Sequence, residues 1–452
     1  MNKLLLVLSF ATLVIGGCQK KIADTIDGQT PDQRLSVAMA AYQKDLTQSP
    51  NGWILVESTT GTAFNGGAPT QGAATVFAYY MQFNDSNQVT MFSDWDSSTA
   101  LTPKTSSYRV KALQRPALIF DTYSYIHLPC DPDPNISKSP FGPGFGWGAD
   151  FEYSFADNVD PTALGDTIHL LGNLNSANAI MIKATKAQHD AYFNGTFAND
   201  FIFNKIQNYF KDVTVGGKTY QITPGVGGRN IDISWLNGPG NLKTASTTFY
   251  QVADGIGFGT PIQANGQTLT GLQNIVYNAG TSTATAKING ASATVTGDIA
   301  PLLYDPNGPY NWYTSALSTF GLYLSPNGFH VDGVDDAFQL DTLSYNGLPY
   351  TSYIYFPGFF GSVDAFAPVF NFTTLADYSN GTAGGVDSLG IAYFNLYYST
   401  TQTTPTPNAV TATNNIETDP NGFYIIMKEN GTSFDQVITS DAKSWISWTY
   451  QP

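Results

Sequence analysis

The chain has 452 residues, of which 42% are hydrophobic, 14% aromatic and only 12% charged, with a formal net charge of −15. That length is more than one hydrophobic core usually serves. The acidic balance excludes a phosphate-neutralising nucleic-acid surface and argues against electrostatic binding to anionic lipid.

The amino terminus carries an address. Lys3 gives a short positive start, Leu4 to Ile15 is a mostly apolar run too short to span a bilayer, and Ile15-Gly16-Gly17-Cys18 has the form of a lipobox. The small residues admit a peptidase before Cys18, whose thiol then takes a diacylglycerol and moors the protein at a membrane surface. Residues 1–17 are therefore expected to be a lipoprotein signal peptide and 18–30 a polar tether. With Cys18 acylated, Cys130 is the one remaining cysteine, and no intrachain disulfide is expected.

A helix should follow. Thr30 can cap it, Pro31 suits the first helical position and Gln33 completes a capping box. Leu35, Ala38, Met39, Tyr42 and Leu46 form one apolar face, and Pro50-Asn51-Gly52 ends the helix near Gln48. Strands are then expected over 76–83, 89–92, 107–113, 118–125, 148–155, 167–171 and 179–183. Sequential strands with short connections imply an antiparallel barrel or a strongly bent meander over 31–198.

Near Lys186 the composition changes. Helices are expected over 186–193 and 200–210, and a middle β segment completes a unit spanning 199–303. Within it, residues 279–297 alternate small and polar side chains, as solvent-facing strands do. The carboxy-terminal unit, 304–452, should be a further β domain, sandwich or barrel, with strands over 319–324, 353–356, 391–398 and 423–427 and a long loop over 399–415. The tetrapeptides at 49–52, 305–308, 325–328 and 419–422 share Pro-Asn-Gly after Ser or Asp. They fit a duplicated unit or, more simply, a recurring turn ahead of a strand.

The densest polar cluster is Asp121, His127, Cys130, Asp131, Asp133, Asp150 and Glu152. Asp131, Asp133 and Asp150 are hard carboxylates of the kind that hold calcium, while His127 and Cys130 supply half of a zinc set. Asp121, Asp150 and Glu152 could serve as paired carboxylates in a glycan or peptide hydrolase. No His-Glu-x-x-His, Gly-x-Ser-x-Gly, P-loop or dinucleotide motif occurs. The aromatics are the stronger hint. Trp147 and Phe145 sit where glycine alternates with aromatic residues, and with Tyr123 and His127 they could stack on a ligand at a barrel mouth.

Arg34, Asn51-Gly52-Trp53, the 76–83 strand, Val89-Thr90-Met91, Ser106 to Val110, Leu118 to Tyr123, His127 and Gly146 to Glu152 occur in a familiar order. With the lipobox, this order resembles a domain-of-unknown-function family of Bacteroidetes outer-membrane lipoproteins with a lipocalin-like amino-terminal region. The resemblance covers roughly the first 200 residues. It implies an outer-membrane location near TonB-dependent transporters and their starch-utilisation-type partners, and it carries no catalytic residues. Gln19-Lys20-Lys21 after Cys18 departs from the acidic signal of some surface-exposed lipoproteins of that phylum, so the membrane face stays open.

The function expected is a non-catalytic ligand-binding or structural accessory of a nutrient-uptake system, with a glycan or peptide ligand and no nucleic-acid partner. The alternatives are the hydrolase above and an adhesion or assembly module contacting a transporter.

Overall fold

The structure is a computed structural model. It describes residues 25–452 apart from 27, 61, 66–67, 72–73, 113–114, 140–142, 145, 157–164, 197–201, 226–228, 360, 362, 398–401 and 429–430. The signal peptide, Cys18 and Phe145 lie outside the described residues.

Helix α1 runs Pro31–Gln48 and begins as its sequence dictates. The Thr30 hydroxyl accepts from the Gln33 amide (3.3 Å), and the Gln33 side chain accepts from the Thr30 amide (2.8 Å). Tyr42 and Leu46 are its buried face. The chain then turns through Gly52, where φ is +73° and a Cβ would stand 2.6 Å from the Met81 carbonyl, so any larger residue is strained.

Eight antiparallel strands follow: β1 Trp53–Ser58, β2 Val76–Phe83, β3 Gln88–Ser93, β4 Lys104–Ala112, β5 Pro116–Phe120, β6 Glu152–Phe155, β7 Thr167–Gly172 and β8 Asn178–Lys183. Each pairs with its neighbour in sequence, and β8 pairs with β1 to close a barrel. Closure leaves no free sheet edge. Two expected strands are shorter than their composition suggests. The fifth stops at Phe120, because Tyr125–Cys130 winds into a 3-10 helix behind Ser124. The sixth begins at Glu152, after Gly148 has taken a φ of +67°.

Helix Lys186–Phe193 matches its expected span. The helix expected over 200–210 is a correction: among the described residues of that span Ile202–Lys205 is helical, and Phe210 already opens a strand. Pairing wins there, since Phe210 lies opposite Asp298, and the Tyr209 amide donates to the Ala442 carbonyl (2.5 Å). The second barrel comprises β9 Phe210–Val215, β10 Lys218–Pro224, β11 Asn230–Leu236, β12 Leu242–Val252, β13 Gly255–Ala264, β14 Gln267–Asn278, β15 Thr283–Ile288 and β16 Ala291–Asp298, with β16 closing on β9. Its small-residue hairpin is half inward. Ala284, Ala286, Ala293 and Val295 are buried, and the threonines and Lys287 between them face out.

The third sheet also closes. Strands β17 Leu322–Ser325, β18 Leu348–Phe356, β19 Asp364–Phe370, β20 Asn380–Val386, β21 Ala392–Tyr397, β22 Phe423–Met427, β23 Ser433–Ile438 and β24 Ser444–Gln451 follow the path β18-β17-β24-β23-β22-β21-β20-β19, and β19 pairs back onto β18. Short strands extend this ring at its margin. Its weakest seam is β21 to β22, joined by one residue pair, Ala392 with Phe423. The loop expected over 399–415 is corrected here. Asn408–Glu417 is helical, because Val410, Thr413, Asn414 and Glu417 make a buried stripe that is largely polar and so escapes a search for apolar periodicity. Helix Gly308–Leu317 begins on the glycine of one Asp-Pro-Asn-Gly tetrapeptide, whereas Asn408–Glu417 ends just before another. Asp305 and Asp419 each accept from the amide two residues on (2.9 and 2.8 Å), so these tetrapeptides act as Asx turns.

Buried charge joins the three rings in series. Asp94, 1% exposed in the first barrel, accepts from the Ala78 amide (2.9 Å), from the Gln251 amide of β12 (2.9 Å) and from Arg229 Nη1 (2.6 Å). The Arg229 guanidinium also lies over the Phe77 ring at 4.6 Å. At the next joint, Lys428 of the third ring sits between Asp232 (3.2 Å) and Asp435 (3.0 Å), and the Tyr209 hydroxyl donates to Asp435 (2.5 Å). Those carboxylates hold the Lys428 ammonium charged despite its burial.

Two barrel interiors hold a buried glutamate. In the first, Glu57 Oε1 accepts from the Asp150 amide and the Tyr153 hydroxyl (2.7 Å each), and burial pushes its carboxyl up to about 8. In the third, Glu417 accepts from Gln436 (2.8 Å) and is likewise pushed up to about 8 by burial.

Removing the Asp94 carboxylate strands Arg229 at a buried joint. Asp94→Ala should lower unfolding free energy by about 3 to 5 kcal/mol in denaturant titrations; a loss under about 1 kcal/mol would show that the joint is not held by charge. The two glutamates set a pH dependence. Each keeps its proton in the folded chain up to about 8 but loses it near 4.5 when unfolded. Their contribution is full below 4.5 and is lost as pH rises towards 8. The melting temperature should therefore fall from pH 5 to pH 7, and Glu57→Gln with Glu417→Gln should flatten that slope. An unchanged slope in the double variant would refute the assignment.

Candidate functional site

The residues expected to form a site lie at one end of the first barrel, and most are tied to their own backbone. His127 is the clearest case. Its Nδ1 accepts from the Ser124 amide (3.1 Å), and Nε2 lies 3.3 Å from the Phe120 carbonyl, which assigns the proton to Nε2. Burial lowers its basicity, and its ring lies between Tyr123 and Phe151, with centroids at 5.4 and 4.7 Å. Neither ring nitrogen is left for a metal or a substrate.

The three aspartates expected as calcium ligands do not converge. Asp131 accepts from the Asp133 amide (2.9 Å) and from the Tyr123 hydroxyl. Asp133 accepts from the Asn135 amide (2.9 Å) and caps the short helix Pro134–Ser137. Asp150 accepts from the amides of Leu174 (2.8 Å), Asn175 (3.0 Å) and Ala177 (2.9 Å), so it pins the β7–β8 connection. Among the described residues no cluster of three His, Cys, Asp or Glu side chains is placed to hold a metal ion.

The hydrolase set is dispersed in the same way. Asp121 forms a two-pronged ion pair with Arg109, and Asp150 is engaged as above. Glu152 is a half-buried strand residue opposite Ile119. Burial pushes the Cys130 thiol well up, with Glu57, Asp150 and Asp131 adding to the effect, which favours its protonated form. Trp147 donates from Nε1 to the Ser137 carbonyl (2.7 Å) and packs edge-on against Phe77 at the end of the barrel core. Tyr123 keeps 45% of its surface exposed.

A different cluster has the shape of a ligand site. It lies at one mouth of the third ring, where helix Gly308–Leu317 crosses the β20–β21 hairpin around a cavity of about 540 Å³. The helix starts with Gly308-Pro309, which fits its first turn tightly against strand β22 beside Ile425. That placement sinks Trp312 into the ring, stacked on Tyr355 at 4.2 Å and edge-on to Phe394 at 6.1 Å. Tyr310, 66% exposed, and Tyr313 line the helix side of the opening.

Glycine shapes the opposite wall. Gly384 lies across from Phe394 in the β20–β21 ladder, and a Cβ there would stand 3.4 Å from the Phe394 ring; Gly385 beside it meets nothing. Gly384 leaves the Phe394 ring uncovered, as a closely approaching ligand requires. The polar groups are Asn307, Asp364 and Asp387. Asp364 accepts from the Tyr355 hydroxyl (3.0 Å) and the Gly358 amide (2.7 Å), and burial raises its carboxyl above the usual range. The buried Trp312 Nε1 has no hydrogen-bond partner among the described residues. Among the described residues no Lys, Arg or His lines the cavity.

This mouth can stack a ring and accept hydrogen bonds from hydroxyl groups, and it repels anions. In the sequence Trp312 is one of several tryptophans near turns that could stack on a sugar ring, and Trp147 is the one the glycine pattern favours. The signals of this mouth were Asn311-Trp312-Tyr313 directly after a turn and Gly384-Gly385 inside a strand, and neither identifies a partner until the ring brings them together.

Comparisons with known proteins add a family. A family model described as a domain of unknown function, DUF4302, matches residues 24–275, which take in the first barrel and run into β14. No curated protein matches the chain. Among solved structures, isotype 1 transferrin binding protein B from serogroup B Neisseria meningitidis is 10% identical over 88% of this chain and 75% of that one, with a TM-score of 0.16. A Helicobacter pylori beta clamp in complex with 5-chloroisatin is 8% identical over 92% and 96%, with a TM-score of 0.14. At such scores these likenesses carry no argument about fold or activity. The family match spans more than half of the chain, and the protein therefore belongs to the DUF4302 family of unknown function.

Proposed function

We propose that this protein is a lipid-anchored, extracytoplasmic binding protein that holds neutral sugar units in the mouth of its third ring. It serves a nutrient-uptake system at the outer membrane as a non-catalytic accessory, with a TonB-dependent transporter as its partner. The observation that carries the ligand class is the cavity at that mouth: Trp312, Tyr355 and Phe394 for stacking, Asp364 and Asp387 as acceptors, and no cationic side chain. A sugar presents an apolar C–H face to such rings and hydroxyl donors to such carboxylates. The anchor rests on Ile15-Gly16-Gly17-Cys18. A binding role accords with the engagement of Asp121 by Arg109 and of Asp150 by three backbone amides in the first barrel.

Calorimetric titration of the soluble form lacking residues 1–18 with neutral oligosaccharides should find saturable binding. Gly384→Val, which covers the Phe394 ring, should weaken it at least tenfold with an unchanged circular dichroism spectrum. Full affinity in both Gly384→Val and Tyr310→Ala would reject the site. The full-length chain should fractionate with membranes in processed, lipid-modified form, and Cys18→Ser should abolish both the processing and the lipid label. Lipid labelling that survives in Cys18→Ser would reject the anchor.

A further inference from the structure

A second cavity, of about 610 Å³, lies where the mouth of the second barrel meets the third ring. Its floor is Lys211 of β9. This residue shares the inward parity of Val213 and Val215, so its side chain enters the barrel mouth rather than solvent. Lys211 is 4% exposed. Its Nζ donates to the Asn208 carbonyl (2.6 Å) and lies 5.9 Å from the ring centroids of both Phe203 and Trp445.

The other charged groups around this cavity are matched. Lys428 has Asp232 and Asp435, and Arg229 has Asp94. His330 Nδ1 meets Asp335 at 2.5 Å, while its ring stacks on Trp445 at 3.7 Å. Lys211 forms no ion pair with any described carboxylate and has one hydrogen bond for three donor protons. A buried ammonium so placed is strongly disfavoured unless an anion joins it.

We propose that this cavity binds a small organic anion, with Lys211 as its charge partner and the rings of Phe203, Phe249 and Trp445 around its apolar body. The site is independent of the aromatic mouth of the third ring. Lysine acts as a point charge and lacks the planar fork that would select one oxyanion geometry, so carboxylate and phosphate monoester heads are both admitted. The apolar walls then demand a hydrocarbon body and disfavour a bare inorganic ion. Burial lowers the Lys211 ammonium to about 7. Anion binding needs the protonated form, so affinity is full below pH 7 and falls about tenfold per pH unit above it until the amine is neutral in the bound state too. The groups facing the same cavity that could also titrate are His330, Asp335, Asp435, Lys428 and Arg229.

The test titrates the folded chain lacking residues 1–18 with benzoate and phenyl phosphate, using benzamide, benzylamine and inorganic phosphate as controls. Calorimetry and indole fluorescence from Trp445 and Trp448 report binding. The expected result is saturable binding of the two aromatic anions, at least tenfold weaker binding of every control, and loss of affinity from pH 7 to pH 9. Lys211→Met should remove the anion binding and its pH dependence while holding or raising the melting temperature, because a buried charge has gone. Gly384→Val should leave it unchanged, which separates this site from the sugar site. Benzoate affinity that persists in Lys211→Met, preference for benzylamine, or equal binding of inorganic phosphate would each overturn the proposal. Should Lys211→Met fail to fold, the pH profile of the unaltered chain decides, and a flat profile from pH 7 to pH 9 refutes it.

Discussion

Charge buried at the joints is the constraint on which the rest of this architecture depends. A closed barrel satisfies its own backbone and presents no edge, so neighbouring barrels have no ladder to share. The joints combine apolar clusters, Val252 against Tyr80 and Tyr192 at one and Phe210 against Trp445 at the other, with buried charge: Asp94 receives Arg229 and Gln251, and Lys428 sits between Asp232 and Asp435. Isolated charges of this kind are unfavourable away from water, and their pairing is highly directional. They therefore specify one orientation of each ring against the next, where apolar contact would tolerate many. Because the partners lie on different rings, each joint forms only when both rings are folded.

That orientation decides where cavities occur. The second barrel turns its Lys211 mouth towards the third ring, which covers it with Trp445 and His330. The third ring has a mouth of its own, crossed by helix Gly308–Leu317, with two glycines thinning the facing strand. The two cavities are opposite in character. Among the described residues, the first has a cation with no counter-ion, and the second has carboxylates and no cation. Ligands of different charge are therefore proposed for separate sites. The first barrel contributes differently. Its polar end, which drew attention as sequence, is a set of loops held rigid by carboxylates accepting from backbone amides, and Asp150 alone orders three of them.

The aspartates and His127 looked like chemistry because carboxylates and imidazoles serve loops and sites with the same atoms. Whether a carboxylate caps an amide or holds a ligand depends on which groups arrive beside it, and spacing along the chain does not encode that. The converse held for Glu57 and Glu417. Each lies in a short run whose neighbours are unremarkable, yet barrel closure buries both completely and keeps them protonated near neutrality. Lys211 was invisible for the same reason: a lysine at the start of a strand reads as solvated until a second ring covers it.

From the sequence alone came the features set by neighbours in the chain. The capping box and apolar face of Pro31–Gln48, the antiparallel order of the first barrel, the all-β class, the turn chemistry of the Asp-Pro-Asn-Gly tetrapeptides and the lipobox reading at Cys18 all rest on residues a few positions apart. The tertiary structure alone decided that the second and third sheets close into rings, that Asn408–Glu417 is a helix with a polar buried face, and that the two cavities lie at Lys211 and around Trp312. Those features depend on contacts between residues tens to hundreds of positions apart, and such contacts exist only once closure of each ring and pairing of its buried charges have fixed where every strand stands.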